Sequence, residues 1–135
     1  MVIHNVAVAD KTEKLSRLYL GDSVEHSLIL DDGDTAEKYI AVPSVTLQHI
    51  MDNIITGEIG FLKIDCEGCE GLIFSSTSIE YFRRVKKMVV EFHDCCSPLK
   101  HEAIQKLMEE AGFKVRLSWG FGKNSLLGYL YGKKD

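Results

Sequence analysis

Two short runs of ionisable residues hold the side chains most capable of chemistry. They are Lys63-Ile64-Asp65-Cys66-Glu67-Gly68-Cys69-Glu70 and Glu91-Phe92-His93-Asp94-Cys95-Cys96. Each run follows a short apolar segment, residues 59–64 and 88–92, with the character of a buried strand. Carboxylates in such places need cations, hydrogen bonds or a solvent-filled cleft, because burying an unpaired charge is costly. The runs indicate either an active-site rim or acids that stabilise the N-terminal ends of helices.

All four cysteines of the chain lie in these two runs. Cys66 and Cys69 form a C-x-x-C pair, and Cys95 and Cys96 are adjacent. Four thiolates at one sheet edge can bind Zn²⁺ tetrahedrally. The adjacent pair is awkward for chelation and the two pairs are far apart in the sequence, so we favour small reduced thiols and no metal. A thiol-zinc site is the alternative.

Strands and helices alternate along the chain and position the two runs. The pattern predicts strands at 2–9, 61–65, 88–92, 113–119 and 125–131, hairpin-like strands between Leu15 and Ile40, and helices from Thr46 to about Gly57 and from Ser97 to Gly112. This order predicts an α/β fold with a mainly parallel sheet and a C-terminal antiparallel pair. The strands at 61–65 and 88–92 are expected to be neighbours, with Asp65 and His93 at the same edge.

Composition and charge limit the class of protein. The 135 residues are 45% hydrophobic and 27% charged, and they contain no linker-like stretch, so we expect a single domain over residues 1–135. The net charge of −4 argues against nucleic acid as a partner. The sequence contains no signal peptide and no long apolar run, which predicts a cytoplasmic protein that does not associate with membranes.

Three segments resemble the FkbM-like methyltransferases. They are the V-x-x-x-T-L run at 42–47, the K-I-D-x-E-G-x-E signature at 63–70, and the acidic strand end at 90–93. The octet is the most specific of the three, and the resemblance covers nearly the whole chain. It implies a Rossmann-like class I methyltransferase fold and methyl transfer from S-adenosylmethionine. The acceptor is expected to be an oxygen of a small molecule or sugar.

The resemblance also suggests roles for the acidic residues. Asp65, Glu67 and Glu70 match the acids of the signature. We expect Asp65, Glu67 and His93 to be catalytic, with His93 or Asp65 removing the proton of the acceptor hydroxyl. For His93 a purely structural role is the alternative. Glu70 and Glu91 are expected to contact the substrate.

The expected cofactor contacts come from two parts of the chain. Residues 5–10 resemble the strand that ends beside the adenine in this family, so Val8, Ala9 and Asp10 join Asp65 as candidates. The family's preceding Gly-rich loop and the acid that holds the ribose have no counterpart in this sequence. We therefore expect a fold truncated at its N-terminus, with weak or absent binding of S-adenosylmethionine by the isolated chain.

Loss of the strands that lie between 2–9 and 61–65 in the family would leave the strand Phe61–Ile64 with an unpaired edge. Unpaired edges recruit other strands. We expect either that residues 2–9 pair directly with 61–65 or that two chains form a homodimer across this edge. Two other functions remain open, a non-catalytic α/β interaction module and a thiol-zinc binding protein.

Overall fold

The computed structural model describes residues 2–20, 26–28, 38–120 and 125–135. The elements in this part are β1 (Ala7–Val8), β2 (Glu13–Leu20), β3 (His26–Ser27), β4 (Tyr39–Val45), α1 (Leu47–Asn53), β5 (Leu62–Ile64), α2 (Glu70–Ser76), α3 (Ile79–Arg83), β6 (Lys87–His93), α4 (His101–Glu110), β7 (Lys114–Trp119) and β8 (Leu127–Lys133). The strands form two sheets, in the orders β1-β4-β2-β3 and β5-β6-β8-β7. Part of the predicted hairpin region, at 21–25 and 29–37, and the turn at 121–124 lie outside the described residues.

The first sheet contains the N-terminal strand, which is shorter than predicted. Only Ala7–Val8 is a strand, and it runs parallel to β4, with Ala7 opposite Ser44 and Val8 opposite Val45. The bond from the amide of Ala9 to the carbonyl of Val45, 2.9 Å, extends this ladder. The prediction that residues 2–9 pair with 61–65 is therefore wrong, because the edge of β4 satisfies their backbone groups instead.

The second sheet carries the two acidic runs. Strands β5 and β6 are parallel neighbours, with Ile64 opposite Val90, as the sequence predicted. Strand β8 lies between β6 and β7 and is antiparallel to both, which confirms the C-terminal antiparallel pair. In each sheet one ladder is parallel and two are antiparallel, so a single, mainly parallel sheet is not what forms. In the second sheet, the two antiparallel ladders arise because the last strand, β8, lies between β6 and β7.

The helices that flank the second sheet begin and end for identifiable reasons. Thr46 caps α1, its hydroxyl accepting a 3.0 Å bond from the amide of His49, as predicted. Helix α4 begins at His101 rather than at Ser97. The carboxylate of Asp94 accepts the His101 amide at 2.8 Å and supplies the missing cap. Gly112, with φ of +95°, follows the end of α4.

The hydrophobic core lies on one face of the second sheet. Phe92, Ile104, Met108 and Leu130 are fully buried in it, together with residues of α2 and α3.

One edge strand of the second sheet is β5, which pairs only with β6 among the described strands. A homodimer across that edge stays a prediction. None of the described helices has the length and apolar character needed to cross a membrane.

Candidate active site

The candidate site is built on the loop that joins β5 to α2. This loop starts at the carboxyl end of β5, next to the carboxyl end of β6. Glu67 and Gly68 both adopt left-handed backbone conformations, with φ of +48° and +98°. The Ser27 hydroxyl donates a 2.6 Å hydrogen bond to the Glu67 carbonyl and holds the strained residue. The turn therefore brings the Glu67 side chain back towards β6.

Glu70 lies at the bottom of the site, and no part of its side chain is exposed. Its Oε1 accepts hydrogen bonds from the amides of Gly68 and Cys66, at 3.1 and 3.4 Å. The same oxygen lies 2.9 Å from His93 Nδ1. The prediction that Glu70 contacts substrate does not fit this burial. The carboxylate instead holds the loop and the imidazole in place.

His93 joins Glu70 to a second carboxylate. The Nε2 atom lies 3.1 Å from Glu67 Oε2, and the Glu67 side chain is 36% exposed whereas that of His93 is 7% exposed. We call this row of three side chains the Glu67–His93–Glu70 array. A neutral imidazole carries one N–H, so donation to both carboxylates requires the protonated ring. The geometry therefore favours a charged His93 between two anions.

The electrostatic surroundings of His93 agree with a charged ring. Burial lowers the pKa of His93, but the hydrogen bond that the ring donates to Glu70 and the negative charges of Glu70, Glu67 and Glu91 raise it by more. The net result is a His93 pKa above its ordinary value of 6.5. Both ring nitrogens of His93 face a carboxylate oxygen, so neither is placed to take a proton from an acceptor hydroxyl. The solvent-facing group of the array is the carboxylate of Glu67.

Asp65 and Glu91 have partners of their own beside the array. Asp65 Oδ2 lies 2.6 Å from the ammonium of Lys63, and this pair is partly exposed. Glu91 accepts a 3.0 Å hydrogen bond from the Tyr129 hydroxyl, and this bond raises the tyrosine pKa above its usual value. The structure thus brings Asp65 and Glu91 to the same part of the second sheet as the array. Their predicted roles in catalysis and substrate contact stay predictions.

The candidate cofactor residues separate into two groups. Val8 and Asp65 line the same cleft of about 270 Å³, between β1 and the outer edge of β5. Ala9 is buried, and with Asp10 it lines a different cavity of about 330 Å³. Only the first group lies next to the signature loop. The structure therefore brings Val8 together with Asp65, whereas Ala9 and Asp10 line a separate cavity.

The chemistry of this cleft fits part of S-adenosylmethionine. Its walls are mainly apolar, which suits a purine ring, and the Asp65 carboxylate can accept a hydrogen bond from a hydroxyl or ammonium group. Its volume lies just under the usual range of about 300–1,000 Å³ for sites that enclose such ligands. Val8 and Asp65 would contact one portion of the cofactor and leave the rest outside the cleft.

The four cysteines do not form a tetrahedral site. The sulfurs of Cys95 and Cys96 lie 3.6 Å apart, and the Cys66 thiol donates a 3.6 Å hydrogen bond to Glu70 Oε1. In the part of the chain that the structure describes, the ligand atoms found within 4.8 Å of one another as a group of three belong to Asp94, His101 and Glu102. No cysteine is among them, so this geometry does not support the zinc alternative.

Asp94 and His101 act in the fold. One Asp94 oxygen accepts the amide of His101 and the other lies 2.5 Å from its Nδ1. The imidazole stacks on Phe92 and meets Trp119 edge-on. The pair therefore fastens the start of α4 to β6 and β7.

One residue of the site was missed in the sequence. Ser27 holds the Glu67 carbonyl from a two-residue strand, β3, that lies far from both acidic runs in the sequence. A lone serine in a polar segment gives no signal of such a role. Only the tertiary structure reveals it.

Comparison with known families identifies the class of protein. The sequence model of the Methyltransferase FkbM domain matches residues 2–115. The match includes both acidic runs and most of the 135 residues, and the chain belongs to the FkbM methyltransferase domain family. The resemblance drawn from residues 63–70 is thereby confirmed. No curated protein and no solved structure matches the chain.

Proposed function

We propose that this domain transfers a methyl group from S-adenosylmethionine to a hydroxyl oxygen of a small molecule or sugar. The observation that supports this most directly is the Glu67–His93–Glu70 array, which directs one partly exposed carboxylate outward from a buried charged pair. It lies at the carboxyl ends of β5 and β6, where ligands bind in open α/β sheets. Membership of the FkbM family supplies the reaction class.

Glu67 is the proton acceptor in this proposal. A hydroxyl oxygen becomes a better nucleophile as its proton moves to a positioned carboxylate. His93 holds Glu67 Oε2 at 3.1 Å and so fixes the orientation of the carboxylate. Glu70 in turn holds His93 and favours its charged form. His93 and Glu70 are positioning residues, and the proton leaves from the exposed side of Glu67.

Binding of the cofactor falls to the cleft beside β5. S-adenosylmethionine, when bound, supplies an electrophilic methyl group on its sulfonium. Val8 provides apolar contact, and Asp65 accepts a hydrogen bond while Lys63 balances its charge. Since these residues surround only part of the ligand, we expect a Kd of about 100 μM or weaker, equivalent to about −5.5 kcal/mol.

The test is a titration of the ¹⁵N-labelled chain with S-adenosylmethionine, followed by amide chemical shifts and combined with the solution mass. We expect shifts at Val8, Asp65 and Cys66 that saturate slowly, and smaller shifts in the Asp65→Asn variant. Helix α4 lies away from the cleft and serves as the internal reference. Unchanged amides around the cleft at millimolar ligand would contradict the proposal and favour a non-catalytic interaction module.

Glu67 is tested by methyl transfer itself, with radiolabelled S-adenosylmethionine and a panel of sugar and small-molecule alcohols. The Glu67→Gln variant keeps the size of the side chain but cannot accept the proton. We expect its kcat to fall by about 10²–10⁴-fold, the usual contribution of general base catalysis. Glu80→Gln, an exposed change on α3, is the control and should keep full activity.

A further inference from the structure

Cys66 and Cys69 lie at the two ends of one tight turn. A backbone hydrogen bond of 3.2 Å from the Cys69 amide to the Cys66 carbonyl closes this turn. The Cys66 thiol donates a 3.6 Å hydrogen bond to Glu70 Oε1. Both cysteines are reduced, and no disulfide joins any of the four cysteines. The backbone thus holds the two cysteines close together without a covalent bond.

Polar neighbours lower the pKa of Cys69. They are the Cys66 thiol, the backbone of Leu28 and, more weakly, Ser27. The Cys66 thiol is the strongest influence, and the other two neighbours act in the same direction against burial. The Cys66 pKa is raised by the interaction with Cys69, by burial and by the charge of Glu70. Cys69 is therefore the more nucleophilic thiol of the pair.

Both thiols also line one cavity. It has a volume of about 480 Å³, and its walls include Val8, Leu18 and Leu28. A cavity of this size admits a small-molecule reagent to sulfurs that are otherwise shielded from bulk solvent. The pair therefore combines proximity, an activated thiol and access.

We propose that Cys66 and Cys69 form a redox-active dithiol that closes to a disulfide by exchange with a small-molecule disulfide of the glutathione class. The Cys69 thiolate attacks one sulfur of the reagent, forming a mixed disulfide and releasing one thiolate. Cys66 then loses its proton and attacks the Cys69 sulfur, expelling the second thiolate. Two protein thiols and one small disulfide thus become one protein disulfide and two small thiols.

Closure also acts on the array. Glu67 and Gly68 are the two residues between the cysteines, and both have left-handed backbones. A disulfide fixes the two sulfurs at about 2.05 Å from each other, which shifts this turn. The contact of Glu67 with His93 should therefore change with the redox state. The dithiol itself does not depend on the methyl-transfer proposal.

Cys95 and Cys96 provide an internal comparison. Their sulfurs are 3.6 Å apart, but a disulfide between adjacent residues closes a small ring that strains the planar peptide bond between them. We therefore expect the Cys66–Cys69 pair to oxidise at a lower proportion of glutathione disulfide than the adjacent pair does.

The experiment equilibrates the full chain in glutathione buffers of increasing disulfide content, blocks remaining thiols with N-ethylmaleimide and maps the peptides by mass spectrometry. As the disulfide content increases, the peptide that contains Cys66 and Cys69 should be oxidised before the peptide that contains Cys95 and Cys96. Its oxidised form is two hydrogen atoms lighter than the reduced peptide and carries no maleimide. A Cys95→Ser/Cys96→Ser variant should behave in the same way. In the same buffers, the His93 NMR signals should move on oxidation of the wild type but not in a Cys66→Ser/Cys69→Ser variant.

The single variants test the order of attack. Cys66→Ser should accumulate glutathione on Cys69 at least about tenfold faster than Cys69→Ser accumulates it on Cys66, since thiolate content controls the rate. The proposal is overturned if the adjacent pair oxidises first, if the cross-links are between chains, or if Cys66 is the faster thiol. These readouts do not involve S-adenosylmethionine, so they fail or succeed independently of the proposed activity.

Discussion

The Nδ1 atom of His93 lies 2.9 Å from Oε1 of Glu70, inside the protein, where the glutamate is fully buried. This contact joins the last residue of β6 to the last acid of the family signature. It makes Glu70 a support for the array, and it leaves Glu67 as the acid that faces solvent.

The pH dependence of stability should report on His93. Because folding raises the pKa of His93 above 6.5, its contribution to stability is fully present below the unfolded pKa. That contribution is lost as the pH rises through the folded pKa. The free energy of unfolding of the wild type, measured with urea between pH 6 and 9, should decrease as the pH rises. The decrease should be smaller in His93→Gln. His49→Gln, at an exposed position, should keep the wild-type slope.

Removing the buried charge of Glu70 should be strongly destabilising. Glu70→Gln keeps the volume but leaves His93 without its buried anion and changes an acceptor used by two amides. We expect a loss of about 3 kcal/mol in the free energy of unfolding, as for other broken buried pairs. Glu102→Gln is the control, because Glu102 is largely exposed, and it should change stability by less than about 0.5 kcal/mol. Equal effects of the two changes would contradict the buried array.

Two glycines of the second sheet region should respond differently to replacement by alanine. A Cβ at Gly71, in α2, would lie 2.5 Å from the backbone nitrogen of Leu99 and 2.6 Å from Ser97 Oγ. We expect Gly71→Ala to destabilise by about 1–3 kcal/mol despite the better helix propensity of alanine. Gly60→Ala meets nothing within 4 Å and should be nearly neutral. The unfolding temperatures of both variants test this difference, and equal values for the two would contradict it.

Arg84 should matter far more than its neighbour Arg83. Its guanidinium donates to the carbonyls of Met51, Ile55 and Gly57, at 2.7 to 3.1 Å, and so satisfies the end of α1. Arg83 pairs with Glu80 on the surface. We expect Arg84→Gln to cost about 2 kcal/mol and Arg83→Gln less than about 0.5 kcal/mol. Denaturant midpoints of comparable size for the two variants would show the prediction to be wrong.

The sequence predicted the local order of the site better than its long-range pairing. Parallel neighbours at β5 and β6 followed from two apolar runs that each end in acids, and Thr46 was recognisable as a helix cap. The position of β8 beside β6 could not be read from the sequence, because alternating residues do not reveal which strand is the partner. For the same reason, the sequence did not reveal that β1 pairs with β4.

The roles of individual acids were also beyond the sequence. The signature shows that Glu67 and Glu70 are near the site. Only their burial in the structure distinguishes the partly exposed carboxylate of Glu67 from the supporting, buried carboxylate of Glu70. Asp94 likewise caps α4 from seven residues away, so the expected start at Ser97 was too early. Both features escape sequence reasoning for the same reason, since these contacts depend on how a loop folds back in space.

The Glu67–His93–Glu70 array is tested most directly by an NMR titration of the His93 ring, using ¹⁵N-labelled histidine in the wild type and in Glu67→Gln. The array predicts a wild-type pKa above 6.5, ring nitrogens that are both protonated below that pKa, and a lower pKa once the charge of Glu67 is removed. A His93 that titrates at or below 6.5 and is unaffected by Glu67→Gln would contradict the array.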